Sequence, residues 1–220
     1  MPIIRPFQTR DFFFHPADVR KSVLAFALWI LDEFTQKPVE AQVTVKIKGD
    51  DKHKPIRNPS GYYCFVDLAS ATYLVQVEAE GYFPFEEPVD MATLPGLNPV
   101  YDVILKPNPA YPFPPNATLI RGVVKSPGPV PNAVVTAASS FLKKNPPQTR
   151  TNENGEFVLF LKKVELEKGP FAKKVERIKD VTIHVTAKDK KTASVSVYGV
   201  LPDLAFSEGM TANLKAIELS

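Results

Sequence analysis

Twenty-two of the 220 residues are proline, about twice the usual roughly 5% share, and that density constrains the fold more than any other feature. Proline breaks helix interiors and the centres of sheets but suits strand edges, turns and linkers. An all-β chain with many short connections is therefore predicted. Five of the nine residues from 107 to 115, within "KPNPAYPFPPNAT", are proline. They lie between "VYDVIL" and "TLIRGVV", two runs that both read as strand. A proline-rich stretch is extended, semi-rigid and independent of backbone donors, so residues 107–116 are predicted to be a linker that holds two compact units apart. The other reading of "PAYPFPP", a docking site for a proline-recognising groove, suits a position between two strand-rich halves less well.

Charge divides at the same place. Residues 1–106 carry 11 Lys and Arg against 14 Asp and Glu, a balance of −3, whereas residues 107–220 carry 16 against 10, a balance of +6. A length of 220 residues accommodates two domains. A hydrophobic share of 44% and a mean hydropathy of −0.11 describe a soluble globular chain. The longest apolar run, "VLAFALWIL" at 23–31, is too short to cross a bilayer. No apolar N-terminal segment leads to a small-residue cleavage site. A cytoplasmic chain, or one inside a released particle, is expected, with no membrane insertion.

The halves repeat one pattern. "TQKPVEAQVTV" followed by "RNPSGYYCFVDL" in the first is matched by "PGPVPNAVVTA" followed by "RTNENGEFVLFL" in the second. Ala41 and Ala133 are 92 residues apart, Gly61 and Gly155 are 94 apart. "PVEAQVTV" alternates Ala41, Val43 and Val45 against Gln42 and Thr44, the period of a strand with one wet face. "NPSG" and "NENG" supply the residues that a tight turn needs. Beyond each glycine, Tyr63 and Phe65, or Phe157 and Leu159, share a face. Further strands are predicted at "TYLVQVEAEGY", "NPVYDVIL", "DVTIHVTA", "TASVSVYGV" and "MTANLKAIEL". This density of short strands is that of a β-sandwich.

"LDEFTQKPVEAQVTV", "NPSGYYCFVDL" and "YLVQVEAEGYFPF" together resemble the carboxypeptidase regulatory-like, transthyretin-like sandwich family. The matching positions are Asp32, Thr35, Pro38, Ala41, Val43, Asn58, Gly61, Tyr63, Tyr73, Val77, Ala79, Gly81 and Tyr82. The resemblance covers most of residues 22–106 and recurs from about 117 to 163, then departs. It implies two tandem antiparallel sandwiches of transthyretin-like or Ig-like type. The expected organisation is an arm at 1–21, a first domain at 22–106, the linker at 107–116, and a second domain at 117–220 with a charged insertion at 162–180.

Such a fold invites an enzymatic reading, and the residues oppose it. Zinc peptidase chemistry needs histidines and a carboxylate converging on the metal, but His15, His53 and His184 are scattered and no H-x-x-E occurs. The hydroxyisourate hydrolase of transthyretin-like type ends in tyrosine-arginine-glycine-serine, whereas this chain ends "KAIELS". No G-x-S-x-G, G-x-x-x-x-G-K or G-x-G-x-x-G is present. Cys64, the single cysteine, sits in "YYCFV" as a packed thiol would. The paired acids Asp50-Asp51 and Glu86-Glu87 read as solvated turns. Related bacterial surface sandwiches carry a lysine-to-asparagine crosslink, but the first strand here has no lysine in its apolar run. No catalytic residue, cofactor or metal is expected.

Three regions exceed what a sandwich needs. The arm holds Phe12, Phe13 and Phe14, which either pack on their own domain or dock on another subunit. "SVLAFALWIL" is apolar at every position from Val23 to Leu31, Trp29 included, so both its faces should be covered. "KKVELEKGPFAKKVERIKD" mixes charges as a solvated hairpin does, while Phe171, Val175 and Ile178 also allow a short helix. The basic excess lacks the stripe with stacking aromatics that nucleic acid requires. Two functions follow. One is a non-catalytic structural subunit, a connector or decoration whose partners are other subunits or copies of itself; phage-tail-like or contractile injection particles are one setting. The other is a module that recognises carbohydrate or peptide through Tyr82, Phe83, Phe85, Tyr111 and Phe113.

Overall fold

The computed structural model describes residues 22–139, 146–161, 181–188, 191–197 and 209–219. The arm with Phe12, Phe13 and Phe14, and the insertion with Phe171, Val175 and Ile178, lie outside the described residues.

The chain is all-β. In its first half β1 (Leu24–Asp32), β2 (Val43–Ile47), β3 (Ile56–Arg57), β4 (Tyr63–Val66), β5 (Thr72–Ala79), β6 (Phe85–Asp90) and β7 (Val100–Leu105) form two sheets, ordered β3-β4-β1-β7 and β2-β5-β6. Between them lies a core around Phe26, Leu28, Phe65, Val75, Val77 and Val103, all fully buried. The second half contributes β8 (Leu119–Lys125), β9 (Val134–Ala138), β10 (Gln148–Arg150), β11 (Glu156–Phe160), β12 (Thr182–Thr186), β13 (Thr192–Ser196), β14 (Thr211–Asn213) and β15 (Ile217–Glu218). Its sheets run β10-β9-β12-β13 and β11-β8-β14, with β15 also on β8. Ile120, Val135, Phe157, Leu159 and Ile183 fill the core between them. Among the described residues every strand pairs within its own half. In both halves a late strand returns parallel to the first, β7 beside β1 and β14 beside β8.

The turns at 58–62 and 152–156 share the same hydrogen bonds. Gly61 N–H donates to the Asn58 carbonyl and Asn58 N–H to that of Tyr62; Gly155 to Asn152 and Asn152 to Glu156 repeat the pair. In each turn the asparagine Oδ1 accepts from the residue that follows the glycine, Tyr62 or Glu156. Both glycines have positive φ, +93° and +73°, a region open to glycine without steric cost.

Local differences correct several expectations. Ala41 lies before β2 and is exposed while Ala133 is fully buried, so the inward set of the first half is Val43, Val45 and Ile47. Glu86-Glu87 is not a turn but part of β6, whose edge position tolerates Pro88 without loss of a ladder bond. Glu86 accepts from Lys48 at 2.8 Å and from Gln76, and Glu87 from the Tyr101 hydroxyl at 2.9 Å. Asp50 does cap a turn, accepting from the Lys52 and His53 backbone. On β1 the inward residues are buried, but the outward Trp29 and Leu31 are only half covered.

Gly122 lies directly opposite Phe157 across β8 and β11. A Cβ there would meet the Phe157 ring at 2.8 Å. Phe157 thus occupies the space that a side chain at 122 would need. Gly122→Ala is expected to destabilise the chain by about 1–3 kcal/mol in urea unfolding. Gly128→Ala, with open space around the added carbon, is the control expected to leave the midpoint unchanged.

Candidate interaction site at the junction of the halves

The junction is organised by one carboxylate. Asp32, the last residue of β1, is 3% exposed. Its Oδ1 accepts from Phe34 N–H at 2.7 Å, and its Oδ2 from the Thr35 hydroxyl at 3.0 Å and the Tyr111 hydroxyl at 2.5 Å. A buried charge is tolerated only with such bonding. The first two bonds close the tight turn after β1; the third reaches 79 residues along the chain into the proline-rich segment.

That segment is fastened down by hydrogen bonds, beyond the stiffness expected from its composition. Asn108 N–H donates to the Gly81 carbonyl and Asn108 Nδ2 to that of Tyr82, while Phe83 N–H donates to Lys106. Tyr111 packs on the first core, its ring 5.3 Å from that of Tyr82. Two residues later Phe113 faces the second half. With Phe34 and Phe160 it covers Leu119, Val158 and Ala117, forming a third apolar cluster between the two cores. Phe34 meets Phe113 and Phe160 edge-on, at centroid distances of 5.2 and 5.3 Å, the favoured arrangement of aromatic quadrupoles.

Two arginines of the second half complete the contact. Arg121 donates to the Pro109 carbonyl at 3.0 Å and lies over the Phe113 ring. Arg150 donates to the Pro84 carbonyl at 2.8 Å with its guanidinium 4.8 Å from the centre of Phe83. Burial lowers the Arg150 pKa, while the ring face and the carbonyl favour the charge.

The residues singled out from sequence therefore separate. Tyr111, Phe113 and Phe83 are brought together at the junction, and with Tyr82 they serve internal packing. Phe85, half-buried on β6, lines a cleft of about 300 Å³ with Phe83, Ile104, Val134, Lys106 and Arg150. Ile104 and Val134 are large apolar side chains left exposed beside it. Trp29 is elsewhere, stacked on Tyr62 at 4.4 Å on the outward face of the β1 sheet. Phe12, Phe13 and Phe14 are outside the described residues. Sequence reasoning missed Phe34, Phe160, Arg121 and Arg150. Asp32 and Thr35 carried a signal only as part of the family-like pattern.

Among the described residues no three His, Cys, Asp or Glu side chains converge as metal ligands, and no helix is long and apolar enough to cross a membrane. Burial raises the Cys64 thiol pKa, which disfavours the reactive thiolate. The two junction tyrosines are the most perturbed groups. Burial and then the Asp32 charge push Tyr82 up to about 12; burial and then the bond to Asp32 push Tyr111 higher still.

A phenol ionises near its ordinary pKa of about 10 in the unfolded chain but higher in the folded one, so the unfolded state releases protons first. Stability is full below about pH 10 and falls as pH rises above it, by about 1.4 kcal/mol per pH unit for each phenol. Tyr111→Phe is expected to lower stability at neutral pH by about 1–3 kcal/mol, because Asp32 loses a donor, and to make the alkaline decline shallower by one proton. Urea unfolding at stepped pH measures both.

No protein-family model matches the sequence, and no curated protein matches it. Among solved structures, the chain is similar to the Bacillus anthracis TIE protein, at 12% identity and a TM-score of 0.27 over 90% of this chain and 34% of that one. It spans about a third of that protein's length. The major pilin subunit BcpA of Bacillus cereus is similar at 14% identity and a TM-score of 0.28, over 80% of this chain and 67% of the pilin. A protein of Bacteroides ovatus ATCC 8483 described as an adhesin is similar at 11% identity and a TM-score of 0.24, over 88% and 89% of the two chains.

Proposed function

We propose that this chain is a non-catalytic structural module, two tandem β-sandwiches held by residues 107–118 as a stiff connector within a larger assembly. One observation carries the reading. The segment between the halves gives Tyr111 to the first core and Phe113 to the cluster over Leu119 and Val158, so swinging one half against the other would separate Phe34, Phe113 and Phe160. Independent motion is the default for tandem domains unless their interface is well packed and apolar. A stiff pair transmits position from one end to the other, which a structural subunit needs and a flexible tether does not supply. The groups with shifted pKa values at the junction are explained by packing.

A second reading, recognition of an extended peptide, is favoured by the cleft beside Phe85, where Ile104 and Val134 are exposed. Ile104→Asp is expected to abolish a peptide-array hit if this cleft is used, and an array without hits removes the reading.

Small-angle scattering checks the stiffness. The full chain is expected to fit one conformation, and Phe34→Ala with Phe113→Ala to require a broad ensemble; equal curves would oppose the connector. Fractionation of undisturbed lysate from the source checks the role. Co-migration with a particle far larger than the chain is expected, and elution as a free species near 24.4 kDa would overturn it.

A further inference from the structure

The two edge strands that flank the cleft beside Phe85 differ in what they offer a further strand. On β6 the register continues to Met91, whose N–H donates to the Ala71 carbonyl. Alternation then turns the backbone of Phe85, Glu87 and Val89 toward β5 and that of Glu86 and Pro88 toward the open side. Pro88 has no N–H to offer there, a device by which edge strands resist pairing. On β7, by contrast, Ala27 N–H donates to the Pro99 carbonyl and Glu33 N–H to that of Leu105. The odd-numbered residues of β7 therefore bond to β1, and Asp102 and Ile104 turn their N–H and C=O groups the other way. Among the described residues β7 is the last strand of its sheet.

The chain itself begins a pairing with this edge and then leaves it. Tyr82 lies antiparallel opposite Pro107, and Phe83 N–H donates to the Lys106 carbonyl at 2.9 Å. Continued, that register would set Phe85 against Ile104 and Glu87 against Asp102. The chain departs at Pro84 instead, and Phe85 pairs with Val77 in the other sheet. The cleft opens where the two strands part, with Phe85 on one wall, Ile104 on another and Val134 of the second half beside them. Ile104 is 47% exposed and Val134 40%. Asp102 is exposed two residues along from Ile104, and so on the same face of the strand.

We propose that β7 accepts an extended segment of a partner protein as a further strand, antiparallel and in the register that Tyr82 and Phe83 begin, with an apolar residue opposite Ile104 and a lysine or arginine opposite Asp102. The inference rests on the peptide-recognition reading and adds to it the edge, the direction and the chemistry of the segment. Main-chain bonds to Asp102 and Ile104 supply the pairing, and the side chains that face one way supply the selectivity. The apolar residue enters the cleft against Ile104 and Val134. Two residues on, a cation faces the Asp102 carboxylate across the strands; opposite charges so placed are favourable and like charges are not. The same rule opposes a second copy of this chain as the occupant. One β7 laid antiparallel on another would set the two Asp102 carboxylates directly or diagonally opposite each other.

The probe is the peptide Thr-Val-Thr-Lys-Thr with a C-terminal fluorescein, titrated against the full chain to the millimolar range and read by anisotropy. It is expected to bind about tenfold more tightly than Thr-Val-Thr-Glu-Thr, and the order of the two to reverse on Asp102→Lys, a substitution at an exposed position. In the proposed register the valine and lysine nitrogens face β7 and that of the central threonine faces away. Methylating the valine nitrogen is therefore expected to abolish binding, and methylating the central threonine nitrogen to leave it intact. Equal affinity for the two peptides, or no binding of either, would overturn the proposal. Binding that survives methylation of the valine nitrogen but is lost in Ile104→Asp would overturn the added strand and leave peptide recognition at the cleft standing, whereas an array without hits removes both. A wild-type dimer by light scattering that Ile104→Asp dissociates would put a second copy on β7 and overturn the proposal as well.

Discussion

The junction depends on one carboxylate held out of water by the donors around it. Asp32 lies at the end of a central strand, 3% exposed, where an unbonded charge would be strongly unfavourable. Its three donors come from the turn that follows it and from Tyr111. The same carboxylate therefore orders a local turn and captures a distant segment. Once Tyr111 is held there, Phe113 is carried to the side of Phe34, and Phe34 is itself placed by its backbone bond to Asp32. The aromatic cluster over the second half is thus built outward from one residue of the first.

Proline makes the segment a good strap for the reason that also makes it a good linker. Its preset φ reduces the freedom lost on ordering, and a residue without an N–H leaves no donor to be satisfied. Of the donors that remain, those on Asn108, Tyr111, Phe113 and Ala117 find backbone carbonyls within or beside the segment, and that on Ala110 finds the Asn108 side chain. Extended backbone with alternating rings then offers Tyr111 to one core and Phe113 to the other cluster. Composition shows stiffness; it does not show whether a stiff segment stands free or lies down.

Much of the fold was legible because its signals are local. The asparagine-to-glycine turns could be read from four residues each, and the alternation after each glycine placed Phe65 and Phe157 correctly in their cores. β6 was not legible, because Glu86, Glu87 and Pro88 look like a turn until β5, β7 and the end of β2 supply Gln76, Tyr101 and Lys48 and the sheet order leaves the proline on an edge. The candidate site was half legible. Aromatic residues at 83, 85, 111 and 113 stood out, but whether a ring faces solvent or a second core is not encoded within its own neighbourhood. Phe34, Arg121 and Arg150 gave no signal, since each acquires its role only from a residue of the other half or of the strap.

By itself the sequence determined an all-β chain and two matched asparagine-to-glycine turns, because strand period and turn φ are properties of short stretches. Tertiary structure alone decided that the proline-rich segment is hydrogen-bonded and packed in place, and that Tyr82, Phe83, Tyr111 and Phe113 pack within the chain. Those outcomes rest on contacts such as Asp32 with Tyr111 and Arg150 with Pro84, 79 and 66 residues apart. Over such separations the geometry is set by how the sheets pack, which no local pattern records.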